Sequence, residues 1–230
     1  MAAAGVSARA VLRRAERSFG PLPVPSEIWS PRDVDEVEAY LRVHKFTAVL
    51  DAGHGFDADI SQIAFAAAAQ LNLPYVRIVR PMWDITAPAE RAASVAEAAL
   101  MIRPEARVFA ATGRGTLDQY HPFSGARLYL RQTNAQARSA LPPFAEAVFG
   151  QPPFTRAAEA ELFRRLQIDT LVLRNVGGAP SRPKLDAALD LGLRVIAIDR
   201  PSPPAGAQAL HGAEAGMTWI ETLPRKGAGI

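Results

Sequence analysis

Three stretches of this chain place glycines beside a histidine, an arginine or an asparagine where an apolar run ends. In Asp51-Ala-Gly53-His54-Gly55-Phe56 the glycines permit close approach of a ligand to the backbone, and His54 can donate a hydrogen bond or a proton. The same residues would equally make a plain βα turn with a surface histidine. Thr112-Gly113-Arg114-Gly115-Thr116 joins free amide donors at a helix start to a guanidinium, an arrangement suited to a phosphate. In Arg174-Asn175-Val-Gly177-Gly178 the Asn175 amide and the glycine N–H groups could hold an amide or a phosphate, with Lys184 one or two helical turns further on. The alternative there is a left-handed turn followed by a solvated lysine. Trp83, after Arg80-Pro81, and Phe56 could stack on a planar ring or belong to the core.

Other chemistries lack their residues. The chain has no cysteine, which removes disulfides, iron-sulfur clusters, thiolate zinc sites and a thiol nucleophile. Its four histidines, His44, His54, His121 and His211, are dispersed without the i, i+4 spacing of a helix-borne zinc pair, so no metal is expected. There is neither a Gly-x-x-x-x-Gly-Lys-Ser/Thr loop nor a Gly-x-Ser-x-Gly elbow. Gly113-Arg-Gly115-Thr-Leu-Asp118 begins like a dinucleotide fingerprint, but Asp118 stands where the third glycine belongs.

The elements that must position these turns follow from composition and periodicity. With 230 residues, 49% hydrophobic and 21% charged, the chain suits a globular protein of one large or two modest domains. No window reaches the ~20 apolar residues of a membrane span, and the arginine-bearing start has no signal-peptide core. A cytoplasmic location is expected, with neither nucleic acid nor membrane as partner. Of 26 basic residues only Lys45, Lys184 and Lys226 are lysine; this is a compositional habit except where arginines meet glycine turns.

The pattern predicts a short helix over Arg9–Phe19 and a helix started by Ser30-Pro31. It then predicts a strand over Phe46–Leu50, a helix over Ile60–Leu71, a strand over Tyr75–Val79 and a helix over Ala87–Met101. Strands follow at Arg107–Ala111 and Ala126–Arg131, then a proline-rich connector over Leu141–Pro153. A helix capped by Thr155 runs to Leu166, followed by a strand at Thr170–Arg174, a helix over Lys184–Leu191, a strand at Val195–Ile198 and a last helix within His211–Leu223. Strands alternating with helices imply parallel pairing and an α/β fold. The expectation is two Rossmann-like lobes, residues 1–95 and 96–230, divided near Pro88 to Pro104, with the ligand in a cleft between them at the strands' carboxyl ends.

In this order the motifs resemble the precorrin-6A reductase family of cobalamin biosynthesis. Asp51-Ala-Gly53-His54-Gly55-Phe56 is similar to the family's Asp-Ala-Thr-His-Pro-Phe, Arg77-Ile-Val-Arg80-Pro81-Met82-Trp83 to its Arg-Leu-x-Arg-Pro-x-Trp, and Ala111-Thr112-Gly113-Arg114 to its Thr-Thr-Gly-Arg. Arg174-Asn175-Val-Gly177-Gly178 with Lys184-Leu-Asp-Ala-Ala resembles its Lys-Asn-Ser-Gly-Gly and following Lys-x-x-Ala-Ala. The resemblance implies NADPH-dependent reduction of one macrocycle double bond. Thr112, Gly113, Arg114, Asn175, Gly177 and Gly178 would hold the cofactor. Arg80, Trp83, Arg174 and Lys184 would hold the anionic tetrapyrrole, with His54 near the reacting ring and water its equal as proton donor. It leaves room for contact with neighbouring pathway enzymes.

The departures carry their own expectation. Family members open with a strand and a Gly-Gly-Thr turn, and nothing like it precedes residue 35. Gly53 replaces a threonine and Val176 a serine, two hydroxyls each worth about 0.5–1.5 kcal/mol as hydrogen-bond partners, which predicts weaker NADPH binding. The rival reading is a diverged, non-catalytic tetrapyrrole-binding or carrier protein of the same fold.

Overall fold

The computed structural model describes residues 6–13, 22–133 and 140–224. In chain order it opens with β1 (Ala10–Leu12), β2 (Ser26–Ile28), α1 (Val34–Val43), β3 (Val49–Asp51), α2 (Ala58–Gln70) and β4 (Tyr75–Val79). The helix expected over Arg9–Phe19 is replaced at Ala10–Leu12 by a strand paired in parallel with β2; residues 14–19 of that expectation lie outside the described residues. Pro23 and Pro25 keep the chain extended just before β2, so a strand partner lies within reach. Asp33, not Ser30, caps α1: its carboxylate accepts the Glu36 N–H at 2.9 Å, while Glu36 accepts the N–H of Arg32, one residue before the cap, at 2.9 Å. At the other end Lys45 is left-handed (φ 54°), and Phe46 N–H returns to the Leu41 carbonyl at 3.1 Å. That closing turn takes up Phe46 and delays β3 to Val49. Val37 and Leu41 of α1 pack on Ala67 of α2, where small side chains allow close approach.

The next stretch carries β5 (Glu90–Ala92), α3 (Val95–Met101), β6 (Arg107–Ala111), a 3-10 turn (Arg114–Tyr120), β7 (Arg127–Gln132) and β8 (Ala145–Phe149). It continues with α4 (Arg156–Arg165), β9 (Thr170–Arg174), α5 (Pro183–Asp190) and β10 (Arg194–Ile198). The single helix expected over Ala87–Met101 is divided: Glu90–Ala92 pairs with Ile196–Ile198, and Ser94 then caps α3 by accepting the Glu97 N–H at 3.0 Å. The connector expected over Leu141–Pro153 contains β8, whose prolines flank the strand instead of interrupting it. Six strands form one sheet in the order β5-β10-β9-β6-β7-β8, with every pair parallel. Phe109, Phe163, Leu171, Leu173, Leu185 and Val195 form its core.

After β10 the chain adds β11 (Gln208–His211) and α6 (Gly212–Glu221); the first residue of the last expected helix is strand instead. β11 pairs in parallel with β4, giving the order β11-β4-β3. The chain therefore groups as Met1–Val79 with Ser202–Ile230, and Arg80–Pro201. The division expected between residues 95 and 96 falls inside the second unit, because the C-terminal segment returns to the first sheet.

Candidate functional site

In the six-stranded sheet the chain leaves β6 toward β7 and β8, then resumes on the opposite side of β6 with β9 and β10. Such a switch point opens a crevice at the carboxyl ends of the two central strands, because the following connections depart in opposite directions. Ala111 sits beside Leu173, so Thr112-Gly113-Arg114 and Arg174-Asn175 emerge side by side. Thr112 itself faces inward. Its hydroxyl lies 2.9 Å from the Thr116 hydroxyl and 3.2 Å from the buried Tyr120 hydroxyl, and the Thr116 oxygen is also 2.8 Å from the Gly113 carbonyl. Burial pushes the Tyr120 phenol up, and its Thr112 bond and the nearby Arg174 charge pull it back. Gly113 has φ +87°, and a Cβ built on Gly113 or Gly115 would meet nothing within 4 Å. The turn thus exposes backbone, with half-buried Arg114 between the two glycines.

The second glycine turn is locked to the Arg80-Pro81-Met82-Trp83 segment. Asn175, 3% exposed, accepts the Trp83 N–H at 3.0 Å and donates to the Trp83 carbonyl at 2.9 Å. The Trp83 indole N–H donates to the Gly178 carbonyl at 3.0 Å, and its ring is buried in the core beside Leu171 and Leu173. Asn175 and Trp83 therefore shape the site from beneath, and the ring is not available for stacking. A Cβ on Gly178 would lie 3.4 Å from Arg80 Cδ, and Arg200, two residues past β10, donates to the Arg80 carbonyl at 2.8 Å. Exposed Arg80 is held in this way, over the glycine turn. Asn175→Ala strips a buried N–H and a buried C=O of their partners, so it is expected to cost about 2 kcal/mol. Urea denaturation followed by tryptophan fluorescence measures this; an unchanged midpoint would exclude the clamp.

Lys184 is half-buried. Its ammonium donates to the Ser181 carbonyl at 2.8 Å. Burial lowers its pKa, the Glu159 charge supports it, and Arg131 opposes it. Arg131 and Glu159 form an ion pair of 2.6 Å with side chains 10% and 1% exposed.

His54 lies in the first unit, on the exposed turn after β3. Its Nδ1 accepts the Phe56 N–H at 3.2 Å, and its carbonyl receives the Asp57 N–H at 2.9 Å and Arg77 Nη2 at 3.0 Å. Arg77 also pairs with Asp51, whose Oδ1 takes the Gly53 N–H at 2.9 Å and whose Oδ2 takes the Tyr75 hydroxyl at 2.7 Å.

A family model described as Precorrin-6x reductase CbiJ/CobK matches residues 17–221. The chain belongs to this family. A precorrin-6A reductase of Mycobacterium tuberculosis (strain ATCC 25618 / H37Rv) is 35% identical over 89% of the chain and 84% of its own length. One from Rhodococcus erythropolis is 32% identical over 84% and 78%. A solved structure, CobK precorrin-6A reductase, superposes with a TM-score of 0.80 at 33% identity, covering 88% of this chain and 85% of that one.

In this family member the motif residues divide into those that face outward and those that brace them. Arg80, Arg114 and the glycine backbone at residues 113 and 115 belong to the first class; Thr112, Trp83, Asn175 and Lys184 belong to the second. Sequence reasoning quoted Arg77 within a motif without giving it a role, and gave none to Tyr120, Arg131, Glu159 or Arg200. The available signal was an arginine at the centre of an apolar strand, as Arg77 is in Tyr75–Val79, since a buried guanidinium requires a partner.

Proposed function

We propose that this chain reduces one double bond of the precorrin-6A macrocycle, giving precorrin-6B, with NADPH as reductant. The observation that carries the reading is the switch point of the second unit: Arg114, Arg174 and open glycine backbone stand at adjacent strand ends, in a member of the precorrin-6x reductase family. The unobstructed Gly113 and Gly115 backbone with a guanidinium between them fits a phosphate-bearing group, so these residues would hold NADPH. Arg80 and Arg174 would take the carboxylates of the precorrin. Asn175, Gly177, Trp83, Thr112 and Lys184 support those contacts by fixing the loops. The resemblance gives His54, on the exposed turn of the first unit, the role of a hydrogen-bond donor to substrate. Reduced nicotinamide, when bound, supplies a hydride to one carbon of the double bond, and charge balance adds one proton to the neighbouring atom.

The chain mixed with NADPH and precorrin-6A is expected to consume the reduced nicotinamide absorbance in step with a change in the macrocycle's visible spectrum, one equivalent of each. Nucleotide binding without either change would overturn the reading. Arg114→Ala is expected to weaken NADPH about tenfold, the loss of one charge-assisted contact, by calorimetry. An unaltered affinity would remove Arg114 from the cofactor site.

A further inference from the structure

Within the second unit, Lys184 is a cation in an unfavourable place. It is the second residue of α5, at the positive end of the helix dipole, and it is half-buried. Glu159 on α4 offsets both effects, because each of the two charges favours the charged form of the other. The carboxylate is rigidly mounted. Glu159 Oε2 accepts from Arg131 at 2.6 Å, and that guanidinium lies between the rings of Phe109 and Phe154. Phe163 of α4 and Leu185 of α5 share one core with Phe109 and Leu171. Glu159 Oε1 is buried and has no hydrogen-bond partner among the described residues, so that oxygen acts on its surroundings as a charge.

The other end of Lys184 reaches the glycine turn. Its ammonium donates to the carbonyl of Ser181, the last residue of the 3-10 turn Ala179–Ser181 that follows Gly178. The Trp83 indole N–H holds the same turn where it begins, at the Gly178 carbonyl, 3.0 Å away. Arg80 Cδ lies against Gly178, so both ends of the segment beneath Arg80 are tied to buried groups. We infer that Lys184 is a positioning residue for the precorrin: anchored by the buried Arg131–Glu159 pair, it holds the Ser181 end of the glycine turn and so sets where Arg80 stands. The inference rests on the proposed reading of Arg80 as a holder of the precorrin carboxylates, and Lys184 itself touches no substrate. The charges acting on Lys184 are Glu159 on α4 and Arg131 on β7; on α5, Asp186 is engaged by Arg182 and Asp190 by Arg156.

Two measurements test this. The chain has three lysines, so ε-carbon labelling gives three signals, of which Lys184→Arg removes one. That signal is expected to titrate below the ordinary lysine value of 10.5, and Glu159→Gln is expected to move its transition lower still, since the supporting charge is gone and Arg131 remains. A transition at or above 10.5, or one that Glu159→Gln leaves in place, overturns the anchor. The second measurement is the affinity for precorrin-6A, read by titrating its visible spectrum without reductant. Lys184→Met is expected to weaken it about tenfold, the equivalent of one charge-assisted bond, and to change kcat less than about threefold. Lys184→Arg is expected to restore most of the affinity. In the unaltered chain the affinity is expected to fall as pH rises through the Lys184 transition, and in Glu159→Gln to fall at lower pH, a test that leaves Lys184 in place; an affinity independent of that transition overturns the inference. In an Arg80→Ala background Lys184→Met is expected to add nothing, and a further tenfold loss there would mark direct contact and overturn it. If Arg80→Ala alone leaves the affinity unchanged, the reading of Arg80 fails. If Arg80→Ala weakens binding while Lys184→Met does not, that reading stands and the positioning inference is overturned.

Discussion

Gly177→Ala is expected to destabilise the second unit by about 3 kcal/mol or more, through two independent effects that act at one atom. Gly177 has φ +69°, where an L side chain costs about 1–2 kcal/mol relative to glycine. A Cβ there would also sit 2.1 Å from the Pro81 carbonyl oxygen and 3.3 Å from Met82 Cα, so relief requires moving backbone, not turning a side chain. That backbone precedes Trp83, whose N–H and carbonyl are both held by Asn175, so displacing Pro81 works against the clamp. Gly192 provides the control. Its φ is +65°, but a Cβ there meets nothing within 4 Å, so Gly192→Ala retains only the conformational cost of about 1 kcal/mol. Denaturant midpoints of the two variants measured side by side separate the effects; equal losses would mean that Gly177 does not make the close approach to Pro81.

The same contact explains why glycine turns were legible in the sequence while their tasks were not. A glycine pair after an apolar run announces a turn, since it needs only the local chain, and β4, β6 and β9 coincide with their expected ranges for the same reason. Whether such a turn opens onto a ligand or presses on another segment depends on Pro81 and Trp83, which lie some ninety residues earlier, the Asn175–Trp83 separation being 92. Gly113 and Gly177 share a positive φ; one faces open space and the other a carbonyl oxygen. Asn175 likewise reads as a binding amide until its two partners are known. β8 and β11 were concealed for another reason. Both are at sheet edges and neither contains a buried residue, so neither has the apolar run that marks a central strand. The arginine signal was diluted by composition: with 23 arginines, given 26 basic residues of which three are lysine, those inside strands did not stand out.

Arg131 is the arginine with the largest expected consequence. Its guanidinium lies between aromatic rings, 4.9 Å from the Phe109 centroid and 4.5 Å from that of Phe154, and donates to Glu159 at 2.6 Å. Arg131→Met keeps much of the volume but leaves Glu159, 1% exposed, with Lys184 as its nearby cation. Removing one partner of a buried pair costs about 3–5 kcal/mol, because the remaining charge keeps its desolvation penalty. The pH dependence has a definite sign. Burial already raises the Glu159 pKa above 4.5, against the pull of Arg131 and Lys184, and loss of Arg131 raises it further. A folded pKa above the unfolded one means that the native state binds the proton more tightly. Its contribution to stability is then complete below pH 4.5 and lost as pH rises through the folded value. The Arg131→Met deficit is therefore expected to be large at neutral pH and to shrink on mild acidification, as Glu159 takes up a proton. Adding Glu159→Leu removes the stranded charge and is expected to restore most of the stability at neutral pH, since apolar replacements of buried pairs are often neutral or stabilising. Denaturation curves at several pH values decide the matter: a deficit that grows toward acid, or a double variant no better than Arg131→Met, would show that the cost lies in the lost aromatic stacking and not in the buried carboxylate.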